Sequence, residues 1–193
     1  MSYSPQTPNL PSWNVINAER VYDANPYVAV DVETVKLPDG RIIDNYHQVH
    51  LADFSVAVPV LDDGSILTQW QYKHAVKEVS LTFPAGQIDV GESAEDAMRR
   101  ELREETGYVA QRVIPLGSYW VNGNQGCGTG HLFAMTGCVQ RHAPSHNDLE
   151  DWDLQIMAPH DVDAAMRDGQ IKILPHMAVW LAYKASVSAN DLE

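Results

Sequence analysis

Apolar and polar residues alternate in extended segments along most of the chain, and glycine-containing turn sequences separate these segments. Valines alternate with other residues over 27–37, a Pro-Asp-Gly turn sequence follows, and an extended pattern resumes over 41–51. This arrangement predicts a β-hairpin. The same reasoning predicts a second hairpin around the Asp-Asp-Gly sequence at 62–64. The predicted strands are, in chain order, 27–37, 41–51, 54–61, 65–72, 81–84, 111–121, 131–139 and the end of 148–156.

A helical pattern begins after residue 93. Ser93 is a suitable N-cap, with Asp96 three residues later, and Gly107 can adopt the left-handed conformation that ends a helix. Apolar residues lie between them at helical spacing, namely Ala94, Ala97, Met98 and Leu102. Two further helices are predicted over 159–168 and 174–186, and the glycine-rich segment 122–130 is predicted to be a loop. Strands interleaved with a few helices predict an α/β or α+β sandwich.

Composition limits the possible functions. The 193 residues are enough for one domain with a small extension, and the net charge of −13 argues against a nucleic-acid partner. No apolar run approaches the ~18 residues of a membrane span, and the N-terminal sequence does not resemble a signal peptide. We therefore expect a cytoplasmic protein with no membrane contact. The two cysteines, Cys127 and Cys138, are expected to be small buried side chains rather than a disulfide.

Three glutamates, Glu101, Glu104 and Glu105, occur within five residues of the predicted helix. At about 100° per residue they fall within roughly a 100° arc of one helix face. Carboxylates that lie so close repel one another, and a divalent cation would remove this repulsion. Hard oxygen ligands suit Mg²⁺ or Mn²⁺, with water and substrate phosphates completing the coordination shell.

The spacing of these residues resembles a known motif. Gly86 is followed after five residues by Glu92 and after seven more by Arg100-Glu101-Leu102; Glu104-Glu105 and Gly107 then follow at one-residue gaps. This pattern resembles the Nudix box of the Nudix hydrolases, with Tyr108 at a final position that is usually aliphatic. The resemblance implies an α/β/α sandwich with a mixed β-sheet. It also implies Mg²⁺-dependent cleavage of a diphosphate into two monophosphates.

The resemblance also implies roles for individual residues. Glu101, Glu104, Glu105 and the backbone carbonyl of Ala85 would hold the metal. Arg100 would orient the glutamates, and Glu92 would support them or add a carboxylate to the metal site. Gly86 would let the substrate-binding loop pass close to the metal.

Segments outside the motif resemble the ADP-ribose pyrophosphatase branch of this family. An acidic loop in that branch supplies a general base or a further metal ligand, and Glu150 is the first candidate here, with Asp148 second. Lys73 ends a Gln-Tyr-Lys sequence where the branch has Gln-Tyr-Arg, and we expect it to bind substrate. Trp13 is expected either to stack on the nucleobase or to pack in a core or interface.

Two departures from the branch leave the substrate open. Thr82 replaces a glutamate at the entrance of the motif, and the region 122–130 lacks the proline that marks ADP-ribose specificity. ADP-ribose or another nucleoside diphosphate sugar is the first hypothesis. The alternatives are hydrolysis of a (d)NTP or dinucleoside polyphosphate, and a non-catalytic nucleotide-sugar sensor.

The predicted organisation has three parts. Residues 1–12 form a flexible arm, 13–50 form an N-terminal antiparallel β segment, and 51–193 form the Nudix hydrolase domain. The resemblance implies that the segment 13–50 builds a homodimer.

Overall fold

The computed structural model describes residues 7–145 and 152–190. The chain forms two compact units. The first contains the described residues up to Ala52 together with Asn122–Gly128, and the second contains Asp53–Val121 and the described residues from Thr129 onward. Within the part of the chain that the structure describes, no helix has the length and apolar character needed to cross a membrane.

The first unit is an antiparallel sheet of three strands, β1 (Asn14–Ala24), β2 (Val28–Lys36) and β3 (Ile42–His50). A turn at 38–40 joins β2 to β3, as predicted, and Gly40 has a φ of 88° that favours glycine. β1 lies at the edge of the described sheet, where β2 is its one neighbouring strand. All of its residues from Asn14 to Asp23 are exposed.

The second unit is built on a mixed sheet. Its strands are β4 (Phe54–Leu61), β5 (Ile66–Lys73), β6 (Glu78–Thr82), β7 (Ala85–Gln87), β8 (Tyr108–Val109), β9 (Arg112–Asn122), β10 (Gly126–Gln140) and β11 (Trp152–Met157). β4 is antiparallel to β5 and β7 and parallel to β10, which also pairs with β8 and β9. β5 is antiparallel to β6 and β11. The helices are α1 (Ala94–Glu101), α2 (Pro159–Arg167) and α3 (Leu174–Asn190).

Helices cover both faces of this sheet. Val56, Val58 and Val60 of β4 pack in one buried cluster with residues of α2 and α3. Ala57, which points to the opposite face, packs in a second cluster with Met98 of α1. The continuous apolar sequence of β4 follows from burial on both faces. The predicted α/β/α sandwich with a mixed sheet and an antiparallel N-terminal extension is therefore confirmed.

The first helix begins and ends at the predicted residues. The Ser93 side chain accepts a hydrogen bond from the backbone N–H of Asp96 at 3.1 Å, and Gly107 ends the helical segment with a φ of 75°. The last turn, Leu102–Thr106, is however a π-helical turn rather than the predicted α-helix. The Thr106 hydroxyl donates to the Leu102 carbonyl in this turn, a side-chain bond that competes with the backbone ladder. Apolar periodicity does not report such a bond.

The predicted glycine-rich loop 122–130 is mostly wrong. The turn is confined to 123–125, and β10 begins at Gly126. From Gly130 onward β10 pairs in parallel with β4. Glycines carry no side chain whose polarity could show a strand pattern, so no alternation of apolar and polar residues indicates that this segment pairs. Cys127 and Cys138 are both free, as predicted. Cys138 is buried, but the predicted burial of Cys127 is wrong, because this residue follows the turn at 123–125 and is only partly buried.

His176 is buried in the core of the second unit. His176 of α3 accepts a hydrogen bond through Nδ1 from the backbone N–H of Phe83 at 3.2 Å. Burial lowers the pKa of His176 from 6.5 to about 3, and the charge of Lys73 adds to this shift. In the unfolded chain the same side chain would titrate near its ordinary pKa of about 6.5.

This difference predicts an acid-dependent loss of stability. Between these two pKa values the unfolded chain binds a proton that the folded chain does not, so the stability contribution is complete above pH ~6.5 and is lost as the pH falls towards 3. We expect the free energy of unfolding to fall between pH 7.5 and 5.0 by about 2 kcal/mol more in the wild type than in His176→Gln. Urea unfolding at both pH values measures this. Equal losses in the two proteins would contradict the assignment.

Candidate functional site

The residues of the predicted motif meet in the second unit, where β7, α1 and the π-helical turn lie close together. Arg100 is at the centre of this arrangement. Its guanidinium donates to both carboxylate oxygens of Glu92 at 3.0 and 2.9 Å, to Glu101 at 2.6 Å and to the Gln87 carbonyl at 3.0 Å. A planar guanidinium with five N–H groups suits such a set of acceptors. The loop that precedes α1 is thereby held against the helix.

Arg100 also stabilises the ionised carboxylates around it. Its hydrogen bonds lower the pKa of Glu92, and the bonds to Glu92 and Glu101 raise the pKa of Arg100 itself. Glu101 is nearly buried, with 12% of its side chain exposed. Arg100 therefore orients Glu101 and Glu92 together.

Glu105 lies deepest among the three glutamates. It is 6% exposed, and its Oε2 accepts hydrogen bonds from the Ala85 backbone N–H and from Gln69 Nε2, both at 3.2 Å. Burial is the main cause, and the negative charge of Glu101 the second, of a rise in its pKa to about 8. The ionised form of Glu105 is therefore costly in the absence of a compensating cation.

Glu104 differs from its neighbour. Forty per cent of its side chain is exposed, and it pairs with Arg103 at 3.1 Å and with Arg100 at 3.5 Å. The three glutamates thus have unequal surroundings, which helical spacing alone did not predict. Among the described residues, no group of three or more His, Cys, Asp or Glu side chains already forms a metal-binding cluster.

The loop at β7 comes unusually close to one of these carboxylates. A Cβ added to Gly86 would lie 2.0 Å from both Cδ and Oε1 of Glu101, so any other residue here would displace the Glu101 carboxylate from its position beside Arg100. The oxygens of Ala85, Glu101, Glu104 and Glu105 are hard donors of the kind that Mg²⁺ prefers. The buried carboxyl of Glu105, whose ionised form needs a compensating positive charge, and the close approach at Gly86 both fit a small divalent cation.

A cavity of about 420 Å³ lies beside this loop in the second unit. Lys73 and His74 line it together with Ala85, so a ligand in the cavity can contact a cationic side chain next to the motif. The positive charge of Lys73 also acts on Glu105, whose pKa it lowers. The other lining residues are Phe54, Ala75, Ile173, Pro175 and His176.

Three further predicted residues, Asp148, Glu150 and Trp13, are not among the described residues of the second unit. Glu150 and Asp148 lie outside the described residues. Trp13 belongs to the first unit, where it is 51% exposed and its ring packs edge-on against Tyr46 with the centroids 5.6 Å apart. Both aromatic residues line a depression of about 680 Å³ whose other lining residues are Asn45, His47, Asn122, Asn124 and Gln125.

Sequence reasoning missed two contacts of Glu105. Gln69 is fully buried on β5, and the Trp152 indole N–H donates to the backbone carbonyl of Glu105 at 2.7 Å. The available indication that Gln69 has a functional contact was its polar side chain in the mostly buried strand β5. Nothing in the spacing around Trp152 indicated its partner. The backbone N–H of Ser145 similarly bonds the Glu104 carbonyl at 2.8 Å.

The chain was compared with protein-family models. The model of the NUDIX domain matches residues 52–177. The chain belongs to the Nudix family. The matched range contains the whole Gly86–Tyr108 motif and the cavity beside it. The predicted family is therefore confirmed.

Individual Nudix relatives match over shorter segments. The ADP-ribose pyrophosphatase of Bacillus subtilis is 31% identical over 91 residues, which cover 47% of this chain and 49% of that protein. The ADP-sugar pyrophosphatase of Mus musculus is 29% identical over 119 residues, 56% of this chain and 54% of that protein. The chain thus spans about half the length of these two relatives.

A solved structure supports the Nudix fold over nearly the whole chain. The crystal structure of an ADP compounds hydrolase aligns with a TM-score of 0.82 and covers 95% of this chain and 98% of that one. The sequence identity is 17%, so this likeness supports the fold alone.

The contact between Gly86 and Glu101 can be tested with Gly86→Ala. The added methyl group would force Glu101 away from Arg100, and overpacking of this kind costs about 1–3 kcal/mol. We expect the melting temperature to fall by roughly 2–10 °C. Gly123→Ala is the control, because its Cβ would meet no atom within 4 Å. An unchanged melting temperature in Gly86→Ala would contradict the close packing.

Proposed function

We propose that this protein hydrolyses the diphosphate linkage of a nucleoside diphosphate sugar, ADP-ribose or a relative, into two monophosphates, with Mg²⁺ as cofactor and Mn²⁺ as a substitute. The observation that carries the proposal is Glu105, a buried carboxylate of raised pKa beside the Gly86 loop. The names of the Bacillus subtilis and mouse relatives support the choice of an ADP-ribose or ADP-sugar substrate.

Oxygen atoms of four residues would hold the cation, namely the carbonyl of Ala85 and the carboxylates of Glu101, Glu104 and Glu105. A bound Mg²⁺ would neutralise the diphosphate and lower the pKa of an attacking water. The bonds from Arg100 keep Glu101 oriented during this reaction. Glu104, which is the most exposed of the three carboxylates, is proposed to take part in the reaction as well as in metal binding.

The substrate would occupy the cavity beside β7. Lys73 lines this cavity and would bind a phosphate as a point charge, without the two parallel hydrogen bonds that an arginine gives.

We propose that Trp13 stacks on the nucleobase. Its half-exposed ring and the amide side chains around the same depression suit a planar, hydrogen-bonding group.

Glu150, with Asp148 as second candidate, is proposed to supply the general base or a further metal ligand. Two contacts of the flanking residues support this proposal. Ser145 bonds the carbonyl of Glu104, and Trp152 bonds the carbonyl of Glu105. The residues on either side of this acidic segment therefore contact two of the proposed metal ligands.

The wild-type protein and Glu105→Gln test the reaction directly. With Mg²⁺ and a panel of diphosphates, the wild type should release two monophosphates, and the variant should lose at least about 100-fold in turnover because it loses a metal-binding carboxylate. In EDTA at pH 9 the variant should melt no lower than the wild type, because it no longer buries a charge. Addition of Mg²⁺ should then raise the melting temperature of the wild type alone.

Glu95→Gln is the matched control on the same helix. Glu95 is half exposed and pairs with Arg99, so its loss should leave turnover unchanged. Pyrophosphate as a product would favour the (d)NTP or dinucleoside polyphosphate alternative. Binding of ADP-ribose without turnover would favour the sensor. Full activity in Glu105→Gln would refute the metal assignment.

We also propose that the N-terminal β segment builds a homodimer. β1 presents an unpaired edge in the described sheet and exposes Val15, Ile16, Val21 and Tyr22, each more than half exposed. A long exposed strand with apolar side chains is a common site of pairing with another chain.

Light scattering after size-exclusion chromatography tests this assembly. The wild type should have a mass of about 43 kDa, twice the 21.5 kDa of one chain. Val15→Lys/Val21→Lys should shift it to the monomer, because the lysines would place charge in the interface. Val90→Lys alters a fully exposed valine of the second unit and should leave the dimer intact. A monomeric wild type would rule out the proposal.

A further inference from the structure

Gln69 is an unusual residue for the centre of a buried strand. Its side chain is completely buried on β5, and its amide Nε2 donates to Glu105 Oε2 at 3.2 Å. Its Oε1 has no hydrogen-bond partner within the described residues. A buried carbonyl oxygen without a partner costs about 1–3 kcal/mol. A leucine or methionine of similar size would avoid this cost, so packing does not explain the glutamine.

The position of Gln69 shows what its amide contributes. β5 directs Leu67 and Gln69 to the α1 face of the sheet, where Leu67 packs with Met98 and Leu102 in the apolar cluster. Gln69 is the next residue of this row and contacts the carboxylate of Glu105 instead of an apolar side chain. The sheet therefore places an N–H donor directly beneath a glutamate of the motif.

Both donors to Glu105 converge on one of its two oxygens. The Ala85 backbone N–H and Gln69 Nε2 each lie 3.2 Å from Oε2. Two donors from different directions fix the rotation of a carboxylate about its terminal torsion, which is otherwise soft. The Oε1 atom then points in a defined direction. At the other end of the residue, the indole of Trp152 holds the backbone carbonyl of Glu105.

We propose that Gln69 is a positioning residue, which binds Oε2 of Glu105 and so presents Oε1 to the divalent cation. This inference rests on the proposed function, because it needs a cation at the site. Partners that orient metal-binding groups typically change metal affinity about 10–100-fold when they are removed. Gln69 itself would contact neither the cation nor the substrate.

Gln69→Met is the informative variant, because methionine keeps the length of the side chain and lacks the N–H donors. The neighbouring Gln71 provides the matched control. It is 5% exposed, lies on the same face of β5 two residues further on, and accepts a hydrogen bond from Thr82 at 3.3 Å. Gln71→Met therefore makes the same chemical change in the same strand and removes none of the hydrogen-bond donors to Glu105, which are Gln69, Ala85 and Trp152.

The primary measurement is Mn²⁺ binding to the substrate-free proteins, followed by electron paramagnetic resonance. We expect the dissociation constant of Gln69→Met to rise about 10-fold or more, and that of Gln71→Met to stay within about 2-fold of the wild type. At limiting Mg²⁺, kcat should fall in Gln69→Met with little change in the substrate KM, and excess Mg²⁺ should restore much of it. Thermal melting in EDTA checks that each protein is folded.

The outcomes separate this inference from the proposed function. If the wild type binds Mn²⁺ and hydrolyses diphosphates and Gln69→Met binds Mn²⁺ equally well, Gln69 does not position Glu105. An equal loss of affinity in Gln69→Met and Gln71→Met would likewise overturn the inference, because it would reflect a general disturbance of β5. If the wild type itself neither binds Mn²⁺ nor turns over any diphosphate, the proposed function fails. Should Gln69→Met not fold, Gln69→Leu removes the same donors and carries the same expectations.

Discussion

The burial of Glu105 is the constraint on which the candidate site depends. A carboxylate that is 6% exposed, close to the charge of Glu101, has its pKa raised to about 8. Two hydrogen bonds to one oxygen compensate part of the desolvation cost but supply no positive charge. The site therefore has an excess of negative potential that a divalent cation would neutralise. Stability alone would not favour this arrangement, because an apolar side chain would fill the space at lower cost.

Arg100 divides the acidic residues into two groups with different electrostatics. Its guanidinium bonds Glu92 and Glu101 and lowers the pKa of Glu92. Glu105 instead accepts hydrogen bonds from the neutral donors Gln69 and Ala85, and its pKa is raised. The same guanidinium reaches the Gln87 carbonyl and so fixes the loop that carries Gly86. One side chain thus couples the backbone conformation of the loop to the orientation of a proposed metal ligand. The close contact between Gly86 and Glu101 follows from this coupling.

Much of the fold could be predicted because local chemistry decides it. The Ser93 side chain begins the helical segment, and the left-handed backbone of Gly107 ends it. The apolar run of β4 reflects burial on both faces of the sheet. The residues of the motif were also predictable, since their spacing resembles that of a family. The π-helical turn and the start of β10 at Gly126 were not predictable, because they depend on a single side-chain bond and on pairing between distant segments.

The row of side chains that β5 directs towards α1 explains how an apolar core and a polar site coexist in one sheet. Leu67 lies in the apolar cluster, Gln69 bonds Glu105, and Lys73 lines the adjoining cavity. Since alternate residues of a strand share a face, polarity increases along this one row from the core to the cavity. The opposite face of the same strand, which carries Ile66, packs against the cluster of α2 and α3. The apolar side of the sheet can therefore supply the stability that the polar row does not. This allows β5 to place beside the motif a lysine and an amide oxygen that has no hydrogen-bond partner among the described residues.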